Sequence, residues 1–160
     1  AGESDVKEKL LKGHSANGKN FKVHLDGYNF LPYMTGKEAK GPRIEHFYFN
    51  DDGDLCAFRY DHWKIHFKIQ ENHGFKSWER EYTTLRVPLL MDLRGDPYER
   101  AYHEGSDYEH WLVDHMFVFA PSQAVVGKFL MTFKEYPQRQ AIGSFSLDKV
   151  LEAIQNTQKN

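Results

Sequence analysis

The sequence holds a single cysteine, Cys56, in 160 residues, which excludes an internal disulfide and any multi-cysteine zinc site. It also lacks an excess of either charge: 21 Lys and Arg against 23 Asp and Glu leave a formal −2. No net field gathers phosphate backbones or anionic lipid, so neither nucleic acid nor a membrane is expected as a partner. No apolar run approaches the roughly 18 to 20 residues a spanning helix needs, Phe117–Pro121 being a short one. Catalytic signatures are missing as well: there is no Gly-x-Ser-x-Gly elbow, no His-Glu-x-x-His and no Gly-rich phosphate loop. Ala1–Ser4 carries neither a basic nor an apolar leader region, and the start reads as a cut near a domain edge.

What is present is an ordinary globular composition, 40% hydrophobic and 15% aromatic, enough for one domain with a real core. Ser4 or Asp5 can cap a helix over Val6–Lys12, with Gly13 ending it. His14–Asn20 reads as a polar loop, Phe21–Leu25 as a short strand, and Tyr28–Met34 as an apolar turn or helix broken by Pro32. Alternation then predicts strands over Ile44–Phe49, Leu55–Tyr60 and Trp63–Ile69 in an antiparallel meander, with Val87–Leu93 returning as a fourth. The last third changes period. Asp107–Val118 and Ser122–Tyr136 read as helices, and Ser146 caps a final one containing Leu147, Val150, Leu151 and Ile154. Strands followed by helices predict an α+β fold, a small four-stranded antiparallel sheet packed against C-terminal helices. We divide residues 1–160, a single subdomain, into a linking segment at 1–42, a sheet at 43–101 and helices at 107–155.

Asn50–Asp54 offers carboxylates, but lacks the Asp-x-Asp-x-Asp-Gly spacing of a calcium loop and suits a hairpin turn at Asp52-Gly53. Nine histidines suggest a metal. His62 and His66, however, lie along a strand roughly 13 Å apart at about 3.3 Å per residue, and His110 and His115 point about 140° apart on a helix. Cys56 sits mid-strand as a small hydrophobe. Asp51, Asp52, Glu99 and Glu104 read as surface charge. Trp63, Trp78, Trp111 and nine tyrosines leave open a carbohydrate- or partner-binding module, although a core uses aromatics equally.

Three landmarks carry a resemblance. His24-Leu25-Asp26-Gly27-Tyr28-Asn29-Phe30-Leu31-Pro32-Tyr33-Met34-Thr35-Gly36 is similar to an Asp-Gly-x-x-Leu-x-Pro-x-Leu-x-Gly segment. Pro42-Arg43-Ile44-Glu45-His46-Phe47-Tyr48-Phe49, continuing to Ala57–Ile65, is similar to the strands opening a small sheet. Leu90-Met91-Asp92-Leu93-Arg94-Gly95-Asp96-Pro97-Tyr98-Glu99 is similar to Leu-Tyr-Asp-Leu-x-x-Asp-Pro-x-Glu. Together, and with Phe133–Gln140 and Ser144–Asp148, they resemble the C-terminal subdomain of type I sulfatases, especially the bacterial arylsulfatase group, whose parent fold is alkaline-phosphatase-like.

That resemblance implies a parent sulfuric ester hydrolase using formylglycine and calcium or magnesium, with a hydrated aldehyde attacking sulfur. It implies no catalytic, cofactor-binding or metal residue in this chain. The Cys/Ser-x-Pro-x-Arg motif that yields formylglycine is absent, Cys56 being followed by Ala57-Phe58-Arg59, and the family's sulfate-contacting residues lie upstream of the first landmark. The implied partner is the N-terminal catalytic domain of the same polypeptide. The isolated chain is expected to be inactive and to self-associate through the face that domain would cover.

Overall fold

The structure is a computed structural model, described here for residues 4–138 and 143–144. The chain divides into two compact units, Ala1–Glu45 with Met116–Pro137, and His46–His115 with Gln138–Asn160.

In the first unit α1 spans Val6–Lys12, with a Lys9–Asp5 ion pair of 3.3 Å across its first turn. The expected polar loop is instead a hairpin, β1 (His14–Ala16) pairing antiparallel with β2 (Lys19–Phe21). Its cause is local: Asn17 and Gly18 adopt φ of 50° and 73°, and left-handed conformations at both central residues match the twist of the flanking strands. The strand expected over Phe21–Leu25 therefore ends at Phe21. A single turn of helix, α2 (Leu31–Met34), holds Pro32 in its first turn, where the missing N–H costs nothing.

The second unit contains the expected meander: β3 (Glu45–Phe49), β4 (Leu55–Tyr60), β5 (Trp63–Ile69) and β6 (Thr83–Asp92), adjacent in that order. Asp52-Gly53 turns β3 into β4, with the Gly53 N–H bonded to the Asn50 carbonyl at 3.1 Å and Gly53 at φ 80°. Phe58 pairs with Ile65 and Ile65 with Leu90, so all three share one face. They are the largest fully buried side chains, each contributing roughly 1.5–3 kcal/mol by leaving water. Ala57, His66 and Leu89 share the opposite face, as do Lys64 and Met91.

The fourth strand begins earlier than its alternation suggests, because the β5–β6 ladder is interrupted. His66 pairs with Leu89 and Lys68 with Thr84, so Phe67 alone faces Leu85–Pro88. Pro88 cannot donate to a ladder, and this irregularity accommodates it. After β6 come α4 (Ala101–Glu104) and α5 (Tyr108–Asp114); α3 (Lys76–Glu79) lies in the β5–β6 connection. Leu89, Met91 and Tyr108 form a buried cluster with Trp111 and Leu112 beside it. The α+β expectation holds: an antiparallel sheet with helices against it.

The two expected late helices divide at a different place. The first stops at Asp114, and a 3₁₀ turn (Met116–Val118), α6 (Phe119–Met131) and a second 3₁₀ turn (Thr132–Lys134) follow without interruption. Pro121 falls within the first turn of α6 and breaks nothing. Met116–Lys134 is thus one helical run of 19 residues, long and apolar enough to cross a membrane by length and composition. This corrects the reading that stopped the apolar run at Pro121. The expected final helix over Leu147–Ile154 lies outside the described residues.

Candidate functional site

The landmark residues are held in a set of local clasps. Asn29 Oδ1 accepts from the Leu31 N–H at 3.1 Å, and Thr35 Oγ1 donates to the Leu31 carbonyl at 2.8 Å, closing α2 at both ends. The Arg43 guanidinium donates to the Asp26 carbonyl and lies over the Tyr28 ring, 5.0 Å from its centroid. The Tyr28 hydroxyl donates to Glu45. The first two landmarks are therefore tied together, 17 residues apart in sequence.

The third landmark works the same way. Asp92 Oδ1 accepts from the Arg94 N–H at 2.9 Å, an Asx-type turn leading out of β6. Asp96 accepts from the Ala101 N–H at 2.7 Å, and backbone hydrogen bonds from Ala101 and Arg100 hold its carboxyl below the usual range. Pro97 presets the turn between them.

Glu99, read from the sequence as surface charge, is the main departure. Its carboxylate receives Lys64 Nζ on Oε1 and His66 Nε2 on Oε2, each at 2.6 Å, and its side chain is 27% exposed. The hydrogen bond from His66, then that from Lys64, outweigh burial and lower its pKa to about 2. Its backbone sits at φ 58°, a conformation rare for a residue with a Cβ, sustained where surrounding contacts over-determine it. Alternation along β5 placed Lys64, His66 and Lys68 on one face, and that unpaired cationic row was the only sequence signal for a carboxylate opposite.

These three residues border a cleft of about 500 Å³ on the sheet face. Its floor is apolar, with Ala57, Leu89 and Met91; Tyr48, Tyr82 and Tyr102 stand around it. Lys64 also lies 4.8 Å from the Tyr48 ring centroid, and Lys68 is held by Asp54 at 2.5 Å. A second cleft, of about 460 Å³, runs from the end of β6 to α5. Its Asp92, Asp96 and Tyr108 are already engaged in hydrogen bonds.

The structure separates the other candidates. His62 bonds Asp61 at 2.9 Å, while His66 bonds Glu99. His110 pairs with Asp107 at 3.2 Å, and His115 stacks on Trp111 at 4.5 Å between centroids. Among the described residues no group of three or more His, Cys, Asp or Glu could hold a metal ion. Cys56 is buried in β4, its thiol directed at the Asp54 carbonyl at 3.5 Å, and burial pushes its pKa up. Asp52 receives the Ser144 N–H at 2.6 Å and the Ser144 hydroxyl. Glu104 lies 3.8 Å from Arg100 on an exposed surface. Of the tryptophans, Trp63 and Trp111 face each other at 6.1 Å, while Trp78 is 89% exposed.

Fold and clasps define a small α+β module whose characteristic motifs stabilise turns and hold them to a sheet. The chain belongs to the family described as the C-terminal region of aryl-sulfatase, whose model matches residues 41–157. None of the curated proteins compared with the chain matches it.

Proposed function

We propose that the chain is the structural C-terminal part of an arylsulfatase, inactive alone, which docks on an N-terminal catalytic domain of the same polypeptide. One observation carries this reading: the motif residues that mark the family, from Asn29 and Arg43 to Asp96 and Glu99, are used to hold the chain to itself. None is paired with an activated nucleophile of the kind covalent catalysis needs. The formylglycine and the calcium or magnesium of the parent would belong to the catalytic domain. Cys56, buried and without the following proline, does not fit the first, and the described residues hold no cluster fitting the second.

The docking surface is apolar. Leu31 and Met34 are 64% and 78% exposed, and Phe117 and Met131 stand out of the late helical run. Exposed apolar side chains in such numbers mark surfaces meant for a partner, here the catalytic domain.

The test is an assay of the purified chain with a chromogenic aryl sulfate, with calcium and then with magnesium. No turnover is expected. Hydrolysis above the buffer rate, with contaminating sulfatase excluded by a mock purification, would overturn the reading.

A further inference from the structure

We propose that the projecting loop bearing Phe75 and Trp78 seats in the sheet-face cleft of a second copy of this chain, each copy giving its loop to the other in a two-fold dimer. The inference goes beyond the docking role and does not depend on it: Leu31 and Met34 belong to the first unit, whereas loop and cleft both belong to the second.

The loop between β5 and β6 is built before anything binds it. Gln70 Nε2 donates to the Ser77 carbonyl at 3.1 Å and to the Arg80 carbonyl at 2.9 Å, and Gln70 Oε1 accepts from the Asn72 N–H at 3.0 Å. Ser77 Oγ donates to the Gly74 carbonyl at 2.7 Å, and Gly74 makes the turn at φ 61°. On this frame Phe75 and Trp78 stand 74% and 89% exposed. Helical backbone begins at Phe75, and residues three apart on a helix are neighbours on its surface, so the two rings form one knob. Large rings already held in place lose little freedom on binding, and tryptophan is among the residues that dominate interface energy.

The cleft answers the knob in position, size and polarity. His73 and Tyr82, at the two ends of the loop, both line it, so knob and hole adjoin on one surface. The exposed rings leave their own cleft open, and a two-fold interface asks for this pairing, the same patch serving both copies with each knob in the other's hole. About 500 Å³ above the apolar floor of Ala57, Leu89 and Met91 holds an indole.

The cations inside are matched by their own carboxylates, Lys64 and His66 by Glu99 and Lys68 by Asp54, which suits an uncharged side chain. Glu71 lines the cleft with no hydrogen bond or ion pair among the described residues, and its carboxylate is an acceptor for the incoming indole N–H. Each large aromatic buries about 150–250 Å². Two knobs, with the cleft walls they cover, reach the roughly 1,200–2,000 Å² of a stable interface.

The experiment is sedimentation velocity on the full chain carrying Leu31→Ser and Met34→Ser, which removes the docking surface of the first unit from the readout. We expect a monomer–dimer equilibrium in the micromolar range. Trp78→Ala in that background should weaken the dimer about thirtyfold or more, with the urea midpoint of the monomer unchanged because the residue is exposed. The receiving site is mapped separately. A ¹⁵N-labelled Trp78→Ala chain keeps its cleft but lacks the knob, and adding unlabelled chain with Trp78 intact should shift the amides of His66, Lys68, Tyr82 and Leu89. The proposal is overturned if the chain stays monomeric across the micromolar range, which would leave Trp78 to a different protein such as the catalytic domain. It is equally overturned if Trp78→Ala dimerises as well as its parent, or if the shifts map outside the cleft.

Discussion

The Tyr108 hydroxyl accepts from the Leu90 N–H and donates to the Leu90 carbonyl, at 3.0 Å each. β6 is the edge of its sheet, and an uncovered edge presents unpaired backbone groups that template aggregation. One phenol covers both groups of a residue that is itself fully buried. Burial raises the Tyr108 pKa, so the hydroxyl keeps the proton it donates. Tyr108→Phe should destabilise the chain by about 1–3 kcal/mol, the cost of leaving buried polar groups unpaired. A urea melt measures the loss, and the Leu90 amide should exchange faster with deuterium. A melt and exchange rate equal to wild type would contradict the role.

Glu99 ties acid stability to the cleft. Its folded pKa of about 2 lies below the ordinary glutamate value of 4.5, so its contribution is fully present above pH 4.5 and is lost as the pH falls towards 2. With part of the site open to solvent, that contribution is on the order of 1–2 kcal/mol. Glu99→Gln keeps the size of the side chain but removes the charge. It should lower the urea midpoint at pH 7 and narrow the gap from wild type between pH 4.5 and pH 2. A gap that stays constant over that window would show that the two ion pairs contribute nothing.

Leu31 and Met34 test the docking surface. Both are exposed, so Leu31→Ser and Met34→Ser should change stability by no more than about 0.5 kcal/mol. Light scattering should show less self-association of the double variant than of wild type at the same concentration. Unchanged association, or a large loss of stability, would place the sticky surface elsewhere.

Much of the sheet was legible because its signals are local. Trp63–Ile69 alternates apolar and polar side chains, and a half-buried strand demands that period. The Asn17-Gly18 hairpin was equally local and was overlooked because its strands are only three residues long, too short for alternation to register. The late helices, expected over Asp107–Val118 and Ser122–Tyr136, break instead at His115, because the apolar residues on either side of Phe119–Pro121 carry no local signal for where one helix ends and the next begins. Glu99 was illegible for a different reason: its partners lie 33 and 35 residues away, and a lone Glu in a loop has no local feature distinguishing it from solvated charge.

By itself, the sequence determined the four strands of the antiparallel meander, the α+β class and the family, because periodicity, turn residues and motif spacing are properties of neighbouring positions. Only the tertiary structure decided that Glu99 would meet Lys64 and His66, that Tyr108 would close the edge at Leu90, and that a cleft would open beside them. Those relationships depend on strand register and on where a Pro-fixed turn sets the returning chain. A shift of one residue in either would move each of these side chains to the opposite face.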